Sequence, residues 1–114
     1  MEEVEGIVQF SEWQKLDLRT AKILKAEEIE GADKLYKLEI DLGFEKRTLV
    51  AGLKPYYSQE ELENKNIIVF TNLAPRTIRG VESKGMILAA SNEGHEKVRL
   101  LQTDSDIEFG SRIS

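Results

Sequence analysis

The residues with the clearest chemical potential lie between Asn72 and Ser91, NLAPRTIRGVESKGMILAAS, where Arg76, Arg79 and Lys84 face a single acid, Glu82. The chain as a whole carries a formal net charge of -5, so this cationic segment runs against its background. Such local reversal suits a placed anion site better than a generally adhesive surface. Guanidinium groups offer several donors in a planar fork that matches phosphate. Pro75 fixes one backbone dihedral and Gly80 permits a tight bend, which constrains how the arginines are presented. Asn72 and Ser83 could add hydrogen bonds to phosphate, a sugar hydroxyl or a base edge. By charge alone, ordinary solvated surface around a β-connection is the simpler reading.

Other chemistries find little support. The one histidine, His95, falls in an Asn-Glu-Gly turn without an orienting partner, which a general base needs. No cysteine is present, so disulfides and thiolate metal sites are excluded and a reducing, cytoplasmic setting is expected. No Cys/His cluster offers a metal site, and the glycines form neither a P-loop nor a dinucleotide fingerprint. Ser83 and Ser91 lack a nucleophile signature. Glu60, Glu61 and Glu63 read as the solvated face of a short helix. No catalytic residue, cofactor or metal is expected. The opening MEEVEGIVQF is acidic and lacks the apolar stretch of a signal peptide, and no apolar run approaches membrane-spanning length.

A chain of 114 residues, 40% apolar and without low-complexity runs, is expected to form one folded domain over 1–114. The box S-x-x-Q at Ser11–Gln14 predicts a short helix carrying Trp13 and Leu16. Leu18 to Ile29 suits a long strand, and Glu30 to Asp33 is turn chemistry. From 35 to 42 the chain alternates: Tyr36, Leu38, Ile40 and Leu42 share one face, Lys37, Glu39 and Asp41 the other. Arg47 to Ala51 returns as a third strand. Ser58–Glu61 is a second capping box, opening a helix through Leu62. A fourth strand starts at Asn66, a fifth is expected over GMILAAS after the cationic loop, and a further one over Lys97–Gln102. The predicted fold is therefore all-β: a five-stranded OB-fold barrel with short helices and N- and C-terminal extensions. Among the aromatics, Tyr36 and Phe70 read as core, while Trp13 suits either an interface anchor or packing on the barrel.

The exact words of the sequence add a resemblance. Asp17-Leu18-Arg19, the run Ala32-Asp33-Lys34-Leu35-Tyr36, and Asn72 to Arg76 continuing into RGVESKGM at 79–86 resemble the tRNA-binding OB domain of methionyl-tRNA synthetase. That domain is C-terminal in many bacterial synthetases and is often a separate beta subunit in archaea. The resemblance implies a non-catalytic module that binds tRNA through shape and backbone, assists a methionyl-tRNA synthetase catalytic chain by tethering, and forms a homodimer through its N-terminal helix and C-terminal strands. It implies a tRNA face with Lys34, Arg76, Arg79 and Lys84 on phosphate and Asn72, Ser83 and Ser91 as neutral hydrogen-bonding groups. Met86 reads as either an apolar floor of that face or core. Related sequences often carry Lys where this chain has Thr77, which should lower affinity and its salt dependence. Export chaperones of the CsaA type share the OB dimer but bind peptides. They are the alternative, although their loops lack the ADKLY turn and the ESKGM run.

Overall fold

The computed structural model describes residues 5–114, so the first four residues of the acidic opening lie outside it. The chain runs α1 (Phe10–Trp13), β1 (Leu18–Glu28), β2 (Tyr36–Asp41), β3 (Lys46–Ala51), α2 (Gln59–Leu62), β4 (Asn66–Phe70), β5 (Arg76–Ile78), β6 (Val81–Ser83), β7 (Met86–Ile87), β8 (Ala89–Ser91) and β9 (Val98–Leu100). A 3-10 turn at Glu93–His95 precedes β9.

The organising element is β1. Its first half pairs antiparallel with β4 from Leu18↔Phe70 to Lys22↔Asn66. Its second half pairs with β2 up to Glu28↔Tyr36. A bulge between Ile23 and Lys25 bends the strand between these two tasks. The resulting five-stranded sheet has the order β3-β2-β1-β4-β7 and curls into a half-barrel. The predicted all-β, five-stranded OB architecture is thus present, with its short helices and both terminal extensions.

Curling is driven by the alternating face. Tyr36, Leu38, Ile40 and Leu42 are buried, as their spacing predicts, together with Ile23, Leu49, Leu62, Ile67 and Val69. Full burial of such side chains contributes roughly 1.5–3 kcal/mol each. The curl closes where the Lys84 N–H donates to the Thr48 carbonyl at 3.0 Å, joining the segment before β7 to β3. Gly85 sits at this closure with φ +138°, and a Cβ there would stand 2.9 Å from the Phe70 carbonyl oxygen. Only glycine fits so close an approach.

Several predicted elements are corrected. The first helix opens at Phe10 with Gln9 as its cap, not at Ser11. Glu12 decides this: its Oε1 accepts from the Gln9 N–H at 3.0 Å, so the box forms two residues ahead of S-x-x-Q. Leu16 falls beyond the helix. The box at Ser58 forms as expected, with Glu61 N–H donating to Ser58 Oγ at 3.2 Å and Ser58 N–H to Glu61 Oε1 at 2.9 Å. The predicted single fifth strand splits. Leu88 N–H still donates to the Ile68 carbonyl, but from Ala89 the chain changes partner and pairs with β9 instead. Phe70 is half-buried rather than core. The C-terminal tail pairs with β1: Thr20 N–H donates to the Ser111 carbonyl at 2.9 Å and Ile113 N–H to the Leu18 carbonyl at 2.8 Å.

Candidate nucleic-acid interface

The cationic segment, expected as a loop, is a β-hairpin. Strands β5 and β6 pair from Arg76↔Ser83 to Ile78↔Val81, leaving Arg79 and Gly80 as a two-residue tip. Both tip residues have positive φ, +51° and +79°, the geometry of a type I′ turn. Glycine accepts this freely, whereas an arginine in the left-handed region is uncommon and strained, by about 1 kcal/mol or more.

Long-range hydrogen bonds fix the hairpin against β3. Arg47 Nη1 donates to the Thr71 carbonyl at 2.6 Å and to the Lys84 carbonyl at 3.3 Å, so one guanidinium holds both feet. Its Nη2 meets Glu45 Oε1 at 2.8 Å. Ser83 Oγ accepts from the Val50 N–H at 2.9 Å and donates to the Gly85 carbonyl at 3.1 Å.

The other face of the sheet stays open. A groove of about 570 Å³ runs between the hairpin and the outward side of β2–β3, lined by Lys37, Glu39, Lys46 and Thr48 on the sheet and Glu82 and Lys84 on the hairpin. The tip reaches the β1–β2 turn: Arg79 Nη1 lies 4.0 Å from where a Cβ on Gly31 would stand. Lys34 is exposed in that same turn. Among the described residues, Lys34, Lys37, Lys46, Arg76 and Arg79 make no ion pair, while Lys84 makes a loose one with Glu82 at 3.5 Å. Five uncommitted cations around one groove and its hairpin can attract a polyanion.

The sequence-predicted residues divide. Arg76, Arg79 and Lys84 lie on the hairpin, and Lys34 lies in the turn that Arg79 approaches. Met86 follows the hairpin and is 45% exposed, so it is not core. Ser83 is buried, and its hydroxyl is engaged within the protein on both its donor and acceptor sides. Asn72 accepts from the Asp17 N–H at 2.8 Å and donates Nδ2–H to the Lys15 carbonyl at 2.6 Å, tying the N-terminal segment to the end of β4. Ser91 is exposed on β8, opposite Val98, and lines neither the groove nor the hairpin. Lys37 and Lys46 also line the groove and were not among the sequence-predicted residues, although the alternation of β2 already placed Lys37 on the outward face.

One carboxylate near the hairpin's foot is perturbed. Burial alone would raise Asp17, but the Arg19 hydrogen bond at 2.7 Å and the charges of Arg19 and Arg112 outweigh it and hold the carboxyl below its ordinary value. On α2, hydrogen bonds from the Ser58 backbone and hydroxyl lower Glu61 in the same direction.

A curled OB sheet with a basic hairpin over its second and third strands has the layout of an oligonucleotide-binding module, since those strands and the adjoining loops are where such folds take their ligands. Comparison with known proteins narrows the class. The family described as "Putative tRNA binding domain" matches residues 18–112. A methionine–tRNA ligase of Caldanaerobacter subterraneus subsp. tengcongensis is 50% identical over 113 residues, 99% of this chain but 17% of that protein. The chain therefore spans about a sixth of the length of this relative. A crystal structure of a MetRS-related protein from Pyrococcus horikoshii superposes with a TM-score of 0.89 at 36% identity, covering 95% of this chain and 98% of the other. The chaperone CsaA of Bacillus anthracis superposes with a TM-score of 0.87 at 28% identity, covering 96% and 100%. The chain belongs to the tRNA-binding domain family, and is an accessory module related to methionyl-tRNA synthetases rather than a catalytic domain.

Proposed function

We propose that the hairpin and groove hold the tRNA backbone, with Arg76, Arg79, Lys84 and Lys34 on phosphates and Lys37 and Lys46 extending the contact across the sheet. The observation that carries this reading is Arg79, an unpaired arginine held in a left-handed tip that reaches the β1–β2 turn. Neutral donors are scarcer than the sequence suggests, because Ser83 and Asn72 are engaged internally. Binding is dominated by charge and shape, with little sequence preference.

The module acts with a methionyl-tRNA synthetase catalytic chain in the cytoplasm, and raises the local concentration of tRNA by tethering. It works as a homodimer. Ile7, Val8 and Phe10 are exposed beside the half-buried Trp13, and Phe10, Trp13 and Leu16 share a cleft with Arg112 and Ile113 of the tail. An apolar strip on both terminal segments suits a two-fold contact. No helix among the described residues is long and apolar enough to cross a membrane.

The similarity to CsaA supports a second reading, peptide binding by the same fold. The family match and the 50% identity to a methionine–tRNA ligase favour tRNA. Binding of labelled tRNA and of an unfolded polypeptide, each at about 50 and 200 mM salt, separates the two. The tRNA reading expects tRNA binding that weakens steeply with salt. Peptide binding without tRNA binding at low salt would overturn it.

A further inference from the structure

The hairpin has a second side. Leu73, Ala74, Ile78, Val50 and Met86 enclose a notch of about 80 Å³ beneath it, with Arg76 at the rim. That is about half of the roughly 150 Å³ that encloses a benzene, so the open notch accepts the edge of a planar ring and not a whole base or a stretch of polymer. Its lining is mostly aliphatic, yet it opens next to an arginine that makes no ion pair among the described residues. Met86 is the odd member: a strand residue that lines the notch and is 45% exposed.

We propose that this notch receives the edge of a single unstacked nucleobase of the bound tRNA, with Arg76 on the adjacent phosphate. The inference rests on the tRNA reading above and adds a base-level contact to it. A nucleobase is the occupant whose chemistry matches both parts: an aromatic edge for the aliphatic lining and a phosphate one bond-chain away for the guanidinium. Thioether sulfur makes favourable contacts with aromatic rings and adapts to their shape, so Met86 can pack on any base. Neither the notch nor the groove is lined by an aromatic side chain, so aliphatic packing replaces the usual stacking platform. The contact tolerates all four bases and selects an unpaired position, because a base in a helix is not free to enter. The single-stranded loops and ends of tRNA supply such positions.

The test fills the notch without touching a cation. Ala74 is exposed, so Ala74→Phe leaves the core unaltered. Its complex with tRNA is compared with wild type by affinity, by salt dependence and by reactivity of the tRNA bases toward dimethyl sulfate and a carbodiimide. The expected result is roughly tenfold weaker binding, the scale of one lost base contact, with an unchanged salt slope. One or a few unpaired bases should be shielded by wild type and reactive with Ala74→Phe. Met86→Ala, which removes the floor without blocking the mouth, should weaken binding and unshield the same bases. Undiminished binding by Ala74→Phe, or shielding that survives it, would overturn the notch while leaving the backbone reading intact. The same holds if the substitution abolishes peptide binding and spares tRNA. If Arg76→Ala/Arg79→Ala also binds normally, both readings fall together.

Discussion

Arg47 Nη1 stands 2.6 Å from the carbonyl oxygen of Thr71, and this contact ties the third strand to the point where the chain leaves the fourth. The same nitrogen reaches the Lys84 carbonyl at the hairpin's other foot. Arg47, which the sequence shows only as the start of the third strand, is therefore the brace of the site. Arg47→Met keeps the aliphatic stem and removes the brace. It should cost about 1.5–3 kcal/mol, the range for hydrogen bonds to charged groups, measured as a lower urea midpoint. A midpoint unchanged from wild type would show that the hairpin holds its place without Arg47.

Asp17 gives a pH signature. Its folded pKa lies below the ordinary carboxylate value of about 4. The folded state therefore favours the ionised form, and the contribution is fully present above that ordinary value. It is lost as pH falls through the lower folded value, because the unfolded chain then binds the proton first. Glu61, lowered by Ser58, acts in the same window. Chemical denaturation from pH 6 down to about 2.5 should show stability falling below about pH 4, with a smaller fall in Asp17→Asn. Equal pH dependence in the two proteins would remove Asp17 from this account.

The apolar N-terminal strip should be an interface. Phe10 is 69% exposed with Trp13 half-buried three residues on, and exposed clusters of this kind mark protein contacts. Sedimentation at micromolar concentration should show a dimer for the wild type and a shift towards monomer for Phe10→Ser/Trp13→Ala. A monomeric wild type would contradict the dimer.

How much was legible depends on where each signal originates. The β2 face was readable because burying one side of a strand imposes a two-residue period, and Tyr36, Leu38, Ile40 and Leu42 obey it. The Ser58 cap was readable because it is local. The first helix was misplaced because Gln9–Glu12 and Ser11–Gln14 are competing boxes of similar type, and the sequence does not rank them. The hairpin was hidden for another reason. Arg76-Thr77-Ile78 is largely exposed and shows no buried alternation, so no strand signal exists there. Its placement comes from Arg47 and Ser83, 24 and 33 residues away from their partners Thr71 and Val50. The same distance effect explains Ser83, Asn72 and Ser91. All three are small polar residues in or after a basic segment, and only the tertiary structure separates two internal struts from an exposed strand residue. Lys37 could have been chosen, since its outward position followed from the same alternation that identified the core.

The central claim is that Arg76 and Arg79 contact tRNA phosphates. The most direct test is the slope of log affinity against log salt for wild type and Arg76→Ala/Arg79→Ala. Each lost phosphate contact removes about 0.7–0.9 from that slope, so the double variant should bind more weakly at low salt with a slope shallower by roughly 1.4–1.8. Equal affinity and equal slope in the two proteins would contradict the account.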